Sequence, residues 1–362
     1  MLIPGLAAIF AAVGACVGSF LNVCIYRMPR EDLSVAKPRT SFCPACGKPI
    51  RWFDNVPILS WALLRARCRD CRGPIPARYP FVEALTAALF VLAVVRTASP
   101  ELPLMQWLPT TSFWALLFAA LVVVTFIDID HRIIPDAISI TGAALAPLAV
   151  WWLPGVPVDS GLPSFLVRAL AAVDRGSGGS VVLAPTIGAV AGGILAMVLF
   201  RRFSPAYDGT RRTWWDTRLA ASIGGAMGLM VAGLAFVPAW LDRPESTRLV
   251  AGMFGMALGS GSLYGVGVLG RLAFRKDAMG LGDVKLMALL GAVLGWKGVL
   301  LAIFIACLLG SVVGIALKVA TRSSYIPFGP FLATGALILI LWADWVAAGI
   351  DWYLSLFQPG TR

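Results

Sequence analysis

The sequence predicts an all-α polytopic membrane protein with about 8–10 transmembrane helices and one small polar loop domain near its N-terminus. Three observations carry this. Only 14% of the 362 residues are charged, where a soluble domain carries about 25%. The mean hydropathy is +0.82. Several apolar runs reach the roughly 20 residues needed to cross a bilayer. The formal net charge of +11 fits Lys- and Arg-rich cytoplasmic loops rather than nucleic-acid binding.

The elements follow in order. The first apolar run ends at Tyr26. Its positive charge follows the run instead of preceding it, so it reads as an uncleaved anchor and not a signal peptide. Asn22 and Tyr26 share one helical face near its end. Residues 27–79 are polar and basic, which marks the cytoplasmic side and puts the N-terminus outside. Glu83 falls just inside the next span, where an acid is a functional candidate by default. Further spans are expected over about 80–97, 112–128 and 135–152, the last opened by Pro135, a good first-turn residue. Apolar runs over about 181–200, 218–240 and 248–272 come next. A long run then extends from Lys285 to about 320, broken at Gly295-Trp296-Lys297-Gly298, and reads as two pieces joined by a turn. A last span opens after Tyr325-Ile326-Pro327-Phe328-Gly329-Pro330. The expected organisation is thus 1–26, the first span; 27–79, the loop domain; 80–154, spans; 155–247, an insertion with about two spans; and 248–350, the closing spans.

The loop domain holds Cys43-Pro44-Ala45-Cys46 and Cys68-Arg69-Asp70-Cys71. Each Cys-x-x-Cys turn can aim two thiolates at one ion, and two such turns complete a tetrahedral site, so Cys43, Cys46, Cys68 and Cys71 are candidate zinc ligands. A reducing cytoplasm argues against disulfides. Four sulfur ligands leave no open position, so the zinc would be structural. Between the pairs, Arg51-Trp52-Phe53-Asp54-Asn55-Val56-Pro57 suits either a small hydrophobic core with a turn or a pocket with polar groups on an aromatic floor.

Two acidic stretches close apolar segments. One contains Asp128, Asp130, His131 and Arg132; the other is Gly280-Leu281-Gly282-Asp283-Val284-Lys285. The charge rule carries Asp128 and Asp283 to the same membrane face. A pair of carboxylates sharing one proton supplies both base and acid for water attack on a peptide bond. Gly280 and Gly282 let another backbone come close. Lys285 and Arg132 can tune the pair or bind lipid phosphates. Two other readings stand beside this one: charges that merely cap helix ends, and the proton carriers of a coupled transporter. The only histidine, His131, excludes a His-Glu-x-x-His site, and Gly280-x-Gly282 lacks the third glycine of a dinucleotide loop.

These motifs together resemble the type IV prepilin peptidases, a family of membrane aspartyl peptidases. Gly280-Leu281-Gly282-Asp283 resembles the Gly-x-Gly-Asp signature, and Asp128 with Pro135 resembles the other half of the site. Gly18-Ser19-Phe20-Leu21-Asn22-Val23, the two Cys-x-x-Cys pairs and Asp54-Asn55-Val56-Pro57 resemble the cytoplasmic region. Pro327-Phe328-Gly329-Pro330 resembles the entry to the last span. No counterpart is recognised for about 155–247. The resemblance implies a bacterial inner-membrane enzyme that cleaves the leader of prepilins and pseudopilins at the cytoplasmic face. It then N-methylates the new terminus with S-adenosylmethionine. It implies Asp128 and Asp283 as the catalytic pair, Gly280, Gly282, Lys285 and Asp130 in support, and the four cysteines on zinc. Asn22, Asp54, Asn55 and Glu83 are candidates for the methyl donor. Peptidase activity alone is the other enzymatic reading.

Overall fold

We describe the chain from a computed structural model, whose described residues are 2–30, 33–38, 40–153, 156, 244–275, 279–321 and 326–357. The two spans expected over 181–200 and 218–240 lie outside them. Among the described residues there are eight α-helices and no strand. The helices are α1 (Leu2–Arg27), α2 (Leu59–Leu63), α3 (Arg78–Thr97), α4 (Leu104–His131), α5 (Asp136–Trp152), α6 (Pro244–Phe274), α7 (Leu281–Thr321) and α8 (Gly329–Ser355). Six of these are long and apolar enough to cross a membrane, and α5 is a shorter apolar helix. The chain is a multi-pass membrane protein.

These residues form two compact units, Met1–Gly142 with Leu300–Arg362, and Ala143–Val299. In the first unit α1 lies along α3, and small residues explain how closely. A Cβ on Gly14 would stand 2.8 Å from Ala87 Cα, and one on Gly18 would stand 2.7 Å from Glu83 Cα. Glycines four apart let two membrane helices approach at backbone distance, where packing replaces the missing hydrophobic drive. α4 is the most buried of the six spans. It begins at Leu104, earlier than the expected 112, and carries Pro109 inside it. Just after it, the Thr111 and Ser112 hydroxyls donate to the carbonyls of Trp107 and Leu108 at 3.1 and 2.9 Å, which satisfies both side chains within the helix. α4 stops at Arg132, which adopts the left-handed conformation (φ 58°, ψ 36°) while its N–H still bonds Asp128 O.

In the second unit α6 meets the first part of α7 through Gly252, Gly255, Gly259 and Gly291. The 41-residue α7 would span about 60 Å if straight, twice the ~30 Å hydrocarbon core. It breaks at Gly295 (φ 69°, ψ −177°), within the Gly-Trp-Lys-Gly stretch where the sequence placed the turn.

Candidate metal centre, cavity and active-site carboxylates

The polar loop after α1 is built on one buried cation. Arg27 is only 3% exposed. Its guanidinium donates to the carbonyls of Ser34, Val35, Pro38 and Thr40 at 3.3, 3.3, 2.7 and 3.2 Å, and it stacks over Phe42 at 5.4 Å. The planar fork suits such multiple capture. The sequence reading passed over Arg27, because nothing in one chain marks which arginine of a basic loop turns inward.

Beyond this anchor the two Cys-x-x-Cys turns form matching knuckles. Cys43 N–H bonds Lys48 O and Cys68 N–H bonds Gly73 O, both at 2.9 Å. Gly47 N–H returns to Cys43 O at 2.8 Å and Arg72 N–H to Cys68 O at 3.0 Å. Phe42 bridges Pro49 as Arg67 bridges Pro74. The repeat was legible as Cys-x-x-Cys-x-x-Pro-Ile, which occurs twice. The knuckle turn needs a positive φ, and there the copies differ: Gly47 has φ 71°, while Arg72 has φ 57°. A side chain in that region costs about 1–2 kcal/mol, partly offset by the greater unfolded freedom of glycine. Arg72→Gly is therefore expected to tighten metal retention about two- to fivefold, read by competition with a chelator.

The four sulfurs lie within 4.8 Å of one another, and Cys43 Sγ is 4.0 Å from Cys71 Sγ. Tetrahedral bonds of about 2.3 Å put sulfurs roughly 3.8 Å apart, so the set fits one ion. Its electrostatics also favour a cation. Backbone N–H groups of Cys71 and Asp70 hold the Cys68 thiol down to about 7. The Gly73 N–H pulls Cys71 down too, yet the Cys68 thiol, loss of water, and the thiols of Cys46 and Cys43 push it up to about 11. Crowded thiolates repel, and a divalent ion removes the conflict.

The segment between the knuckles has no apolar core. It forms a 3-10 turn, Trp52–Asn55, with no buried residue; Trp52 is 83% exposed and Leu63 82%. Of the two readings of this run, the small core is not found, and a cavity is. Asp54 receives a two-pronged bond from Arg69 of the second knuckle at 2.6 and 2.8 Å. That guanidinium holds the Asp54 carboxyl below its usual range. Ser60 ties the turn with bonds to Val56 N and Phe53 O at 2.9 and 3.1 Å. Ile58 is forced to φ 63°, a strained position for a β-branched residue. Its N–H is held by Glu83 Oε2 at 2.7 Å.

A cavity of ≈ 440 Å³ lies between this loop, α1 and the start of α3. All four methyl-donor candidates (Asn22, Asp54, Asn55 and Glu83) line it, and so does Trp61. Asn22 donates to Tyr79 O at 3.1 Å, and Trp61 Nε1 to Ile75 O at 3.0 Å, which fixes both walls.

Asp128 stands in the last turn of α4 at 6% exposure. Its Oδ2 accepts the Gly329 N–H at 3.0 Å, and a Cβ at Gly329 would lie 2.7 Å from that oxygen. The glycine between Phe328 and Pro330 is thus required by close approach. The sequence displayed Pro-Phe-Gly-Pro but not its partner. Asp130, two residues on, takes Arg78 at 2.5 Å; Arg78 also bonds Phe126 O at 3.2 Å and stacks on its ring. In the second unit Asp283 lies in the first turn of α7, with Gly280 beside its Oδ2 and Gly282 and Lys285 half-buried.

The description "Type IV leader peptidase family" matches residues 115–315. The chain belongs to that family. The matched range contains Asp128 and Asp283 and runs across 155–247. A separate match, "Bacterial Peptidase A24 N-terminal domain", covers 12–97, which takes in the knuckles and the cavity. Curated relatives of this family member span most of its length. The prepilin leader peptidase/N-methyltransferase of Aeromonas hydrophila is 30% identical, over 94% of this chain and 91% of the relative. The protein of the same name from Neisseria gonorrhoeae is 27% identical, over 98% and 97%. The type 4 prepilin-like proteins leader peptide-processing enzyme of Escherichia coli O78:H11 is 29% identical, over 93% and 94%. No solved structure matches the chain.

Proposed function

We propose that the chain cleaves the leader of type IV prepilins and pseudopilins and then methylates the new N-terminus, acting at the cytoplasmic face of a bacterial inner membrane. The observation that carries the peptidase half is Asp128: a carboxylate buried at the end of a membrane helix and gripped by a backbone amide through a glycine. Burial of a carboxylate at this depth is costly, which favours a working group over a helix cap. In this reading Asp128 and Asp283 form one proton-sharing pair. One takes a proton from water as its oxygen attacks the scissile carbonyl. The other gives its proton to the carbonyl oxygen. Collapse of the tetrahedral intermediate breaks the C–N bond and the amine leaves protonated. Gly280, Gly282 and Lys285 support Asp283, and Asp130 steadies the end of α4 through Arg78.

The methylating half uses the loop domain. Cys43, Cys46, Cys68 and Cys71 would hold a structural zinc. The ≈ 440 Å³ cavity falls within the size of small-molecule sites and takes S-adenosylmethionine, which supplies a methyl group on a sulfonium. Asn22 and Asn55 offer amides, Trp61 an apolar wall, and Glu83 and Asp54 hold the loop around it.

The test is incubation of the purified chain with a model prepilin in detergent, read by mass spectrometry with and without S-adenosylmethionine. Cleavage in both, with a methyl mass only when the donor is present, is the expected result; cleavage without methylation leaves a peptidase with a structural zinc loop. Gly329→Ala is expected to cut the cleavage rate about a hundredfold with little change in KM, since roughly 1 Å of misplacement has that effect in an oriented reaction.

A further inference from the structure

A second cavity, of ≈ 300 Å³, adjoins the first. The two share Ser19, Val23, Arg27, Ser41 and Asn55 as lining. The second alone reaches Cys16 and Phe20, one helical turn apart on α1, with Val35 and Pro57 of the loop opposite. We propose that this second cavity receives the methyl acceptor: the free N-terminal amine and first side chain of an apolar membrane helix. The proposal rests on the methyltransferase reading above and gives it an acceptor site.

The argument begins with α1. Its inner face packs on α3 through Gly14 and Gly18. Its other face carries a continuous exposed stripe, Ile9, Val13, Cys16 and Phe20, at helical spacing. Lipid contact explains the upper part of that stripe. It does not explain why the stripe runs directly into a cavity bounded by a polar loop, at Cys16 and Phe20. An apolar helix lying on the stripe would bring its N-terminal residue to that cavity, with its amine at the shared wall and a methyl donor beyond it. Group transfer requires donor and acceptor to meet in line and nearly in contact, and the shared lining sets the two cavities side by side, as that requires.

The charge pattern fits the chemistry. Among the described lining residues of the second cavity there is one cation, Arg27, and no acid. A cation there disfavours the ammonium form and keeps the nucleophilic lone pair available. The nitrogen lone pair forms the N–CH3 bond, the sulfonium–CH3 bond breaks with its electron pair going to sulfur, and the proton leaves the nitrogen for water. Arg27 is committed to four loop carbonyls, so it acts by its field and not as a substrate ligand.

The experiment uses the full chain in detergent, with a synthetic apolar helix peptide bearing a free N-terminal Phe as acceptor. Cys16→Trp fills the second cavity from its membrane side. Methyl transfer by the variant is expected to fall roughly a hundredfold, with the KM for the peptide raised and the KM for S-adenosylmethionine held. A second measurement does not depend on how the variant packs: a peptide with Cys as its first residue, mildly oxidised with the native chain, is expected to cross-link to Cys16. Unchanged peptide KM in Cys16→Trp, or a cross-link that maps to Cys307 or elsewhere instead of Cys16, overturns the acceptor site while leaving the methyltransferase reading intact. Absence of any methyl transfer by the native chain overturns both.

Discussion

Asp128→Asn and Asp283→Asn are each expected to reduce prepilin cleavage by about a thousandfold or more while leaving the chain folded. The size follows from the chemistry proposed. A positioned general acid or base contributes about 10²–10⁴-fold, and a pair that acts through one shared proton fails as a unit when either member loses its charge. The fold should survive because each change is nearly isosteric. In Asp128→Asn the side-chain amide oxygen can still accept the Gly329 N–H now held by Asp128 Oδ2. The helix ends are also fixed by other contacts, with Arg78 gripping Asp130 and Phe126 O. The measurement is cleavage by mass spectrometry beside thermal unfolding of each variant. The double variant should be no worse than either single one. Full cleavage by both folded single variants would remove the aspartyl mechanism and bring the proton-carrier reading forward. Methylation of a pre-cleaved peptide provides the internal control, because the proposed methyl-donor site is the cavity at the loop and does not include Asp128.

How much of this was legible in the sequence depended on what kind of signal each feature leaves. The spans were plain because lipid demands a long apolar run and little else. Even the break in α7 at Gly295 was readable, since the mostly apolar run from Lys285 to about 320 exceeds one crossing. The start of α4 was less plain: the helix begins at Leu104 and carries Pro109 inside it, eight residues before the expected span, because a helix can extend beyond its most apolar window. The four cysteines announced themselves by spacing. The contacts that organise the site did not. Gly329 on Asp128 joins residues far apart in the chain, Glu83 holds Ile58 across the loop, and Arg69 holds Asp54. None has a local period or composition. The cavity that gathers Asn22, Asp54, Asn55 and Glu83 was visible only as separate polar residues, two in the loop and one on each of the helices that flank it.

Cys43→Ser and Cys68→Ser are each expected to empty the metal centre and abolish methylation, with cleavage reduced by no more than a few fold. The reasoning starts from what the loop lacks. Trp52, Leu59 and Leu63 are 83%, 60% and 82% exposed, so apolar burial cannot hold the segment between the knuckles. A segment this short without a core needs a staple. A structural zinc provides about 10–16 kcal/mol of binding free energy that is also folding free energy, far more than the paired bonds of Asp54 with Arg69 can offer. One missing thiolate from either knuckle leaves three ligands, and the cavity wall formed by Asp54, Asn55 and Trp61 loses its support. Asp128 is insulated from this loss. It lies on α4, the most buried of the six spans among the described residues, and is held by the Gly329 amide instead of by the loop. Metal content by elemental analysis, methyl transfer and cleavage should be read on the same preparations, and stripping the native chain with a chelator should reproduce the variants. Retention of metal by the Cys43/Cys68 double variant would show that these sulfurs are not the ligands. Equal loss of cleavage and methylation would show that the knuckles brace the peptidase carboxylates as well as the cavity.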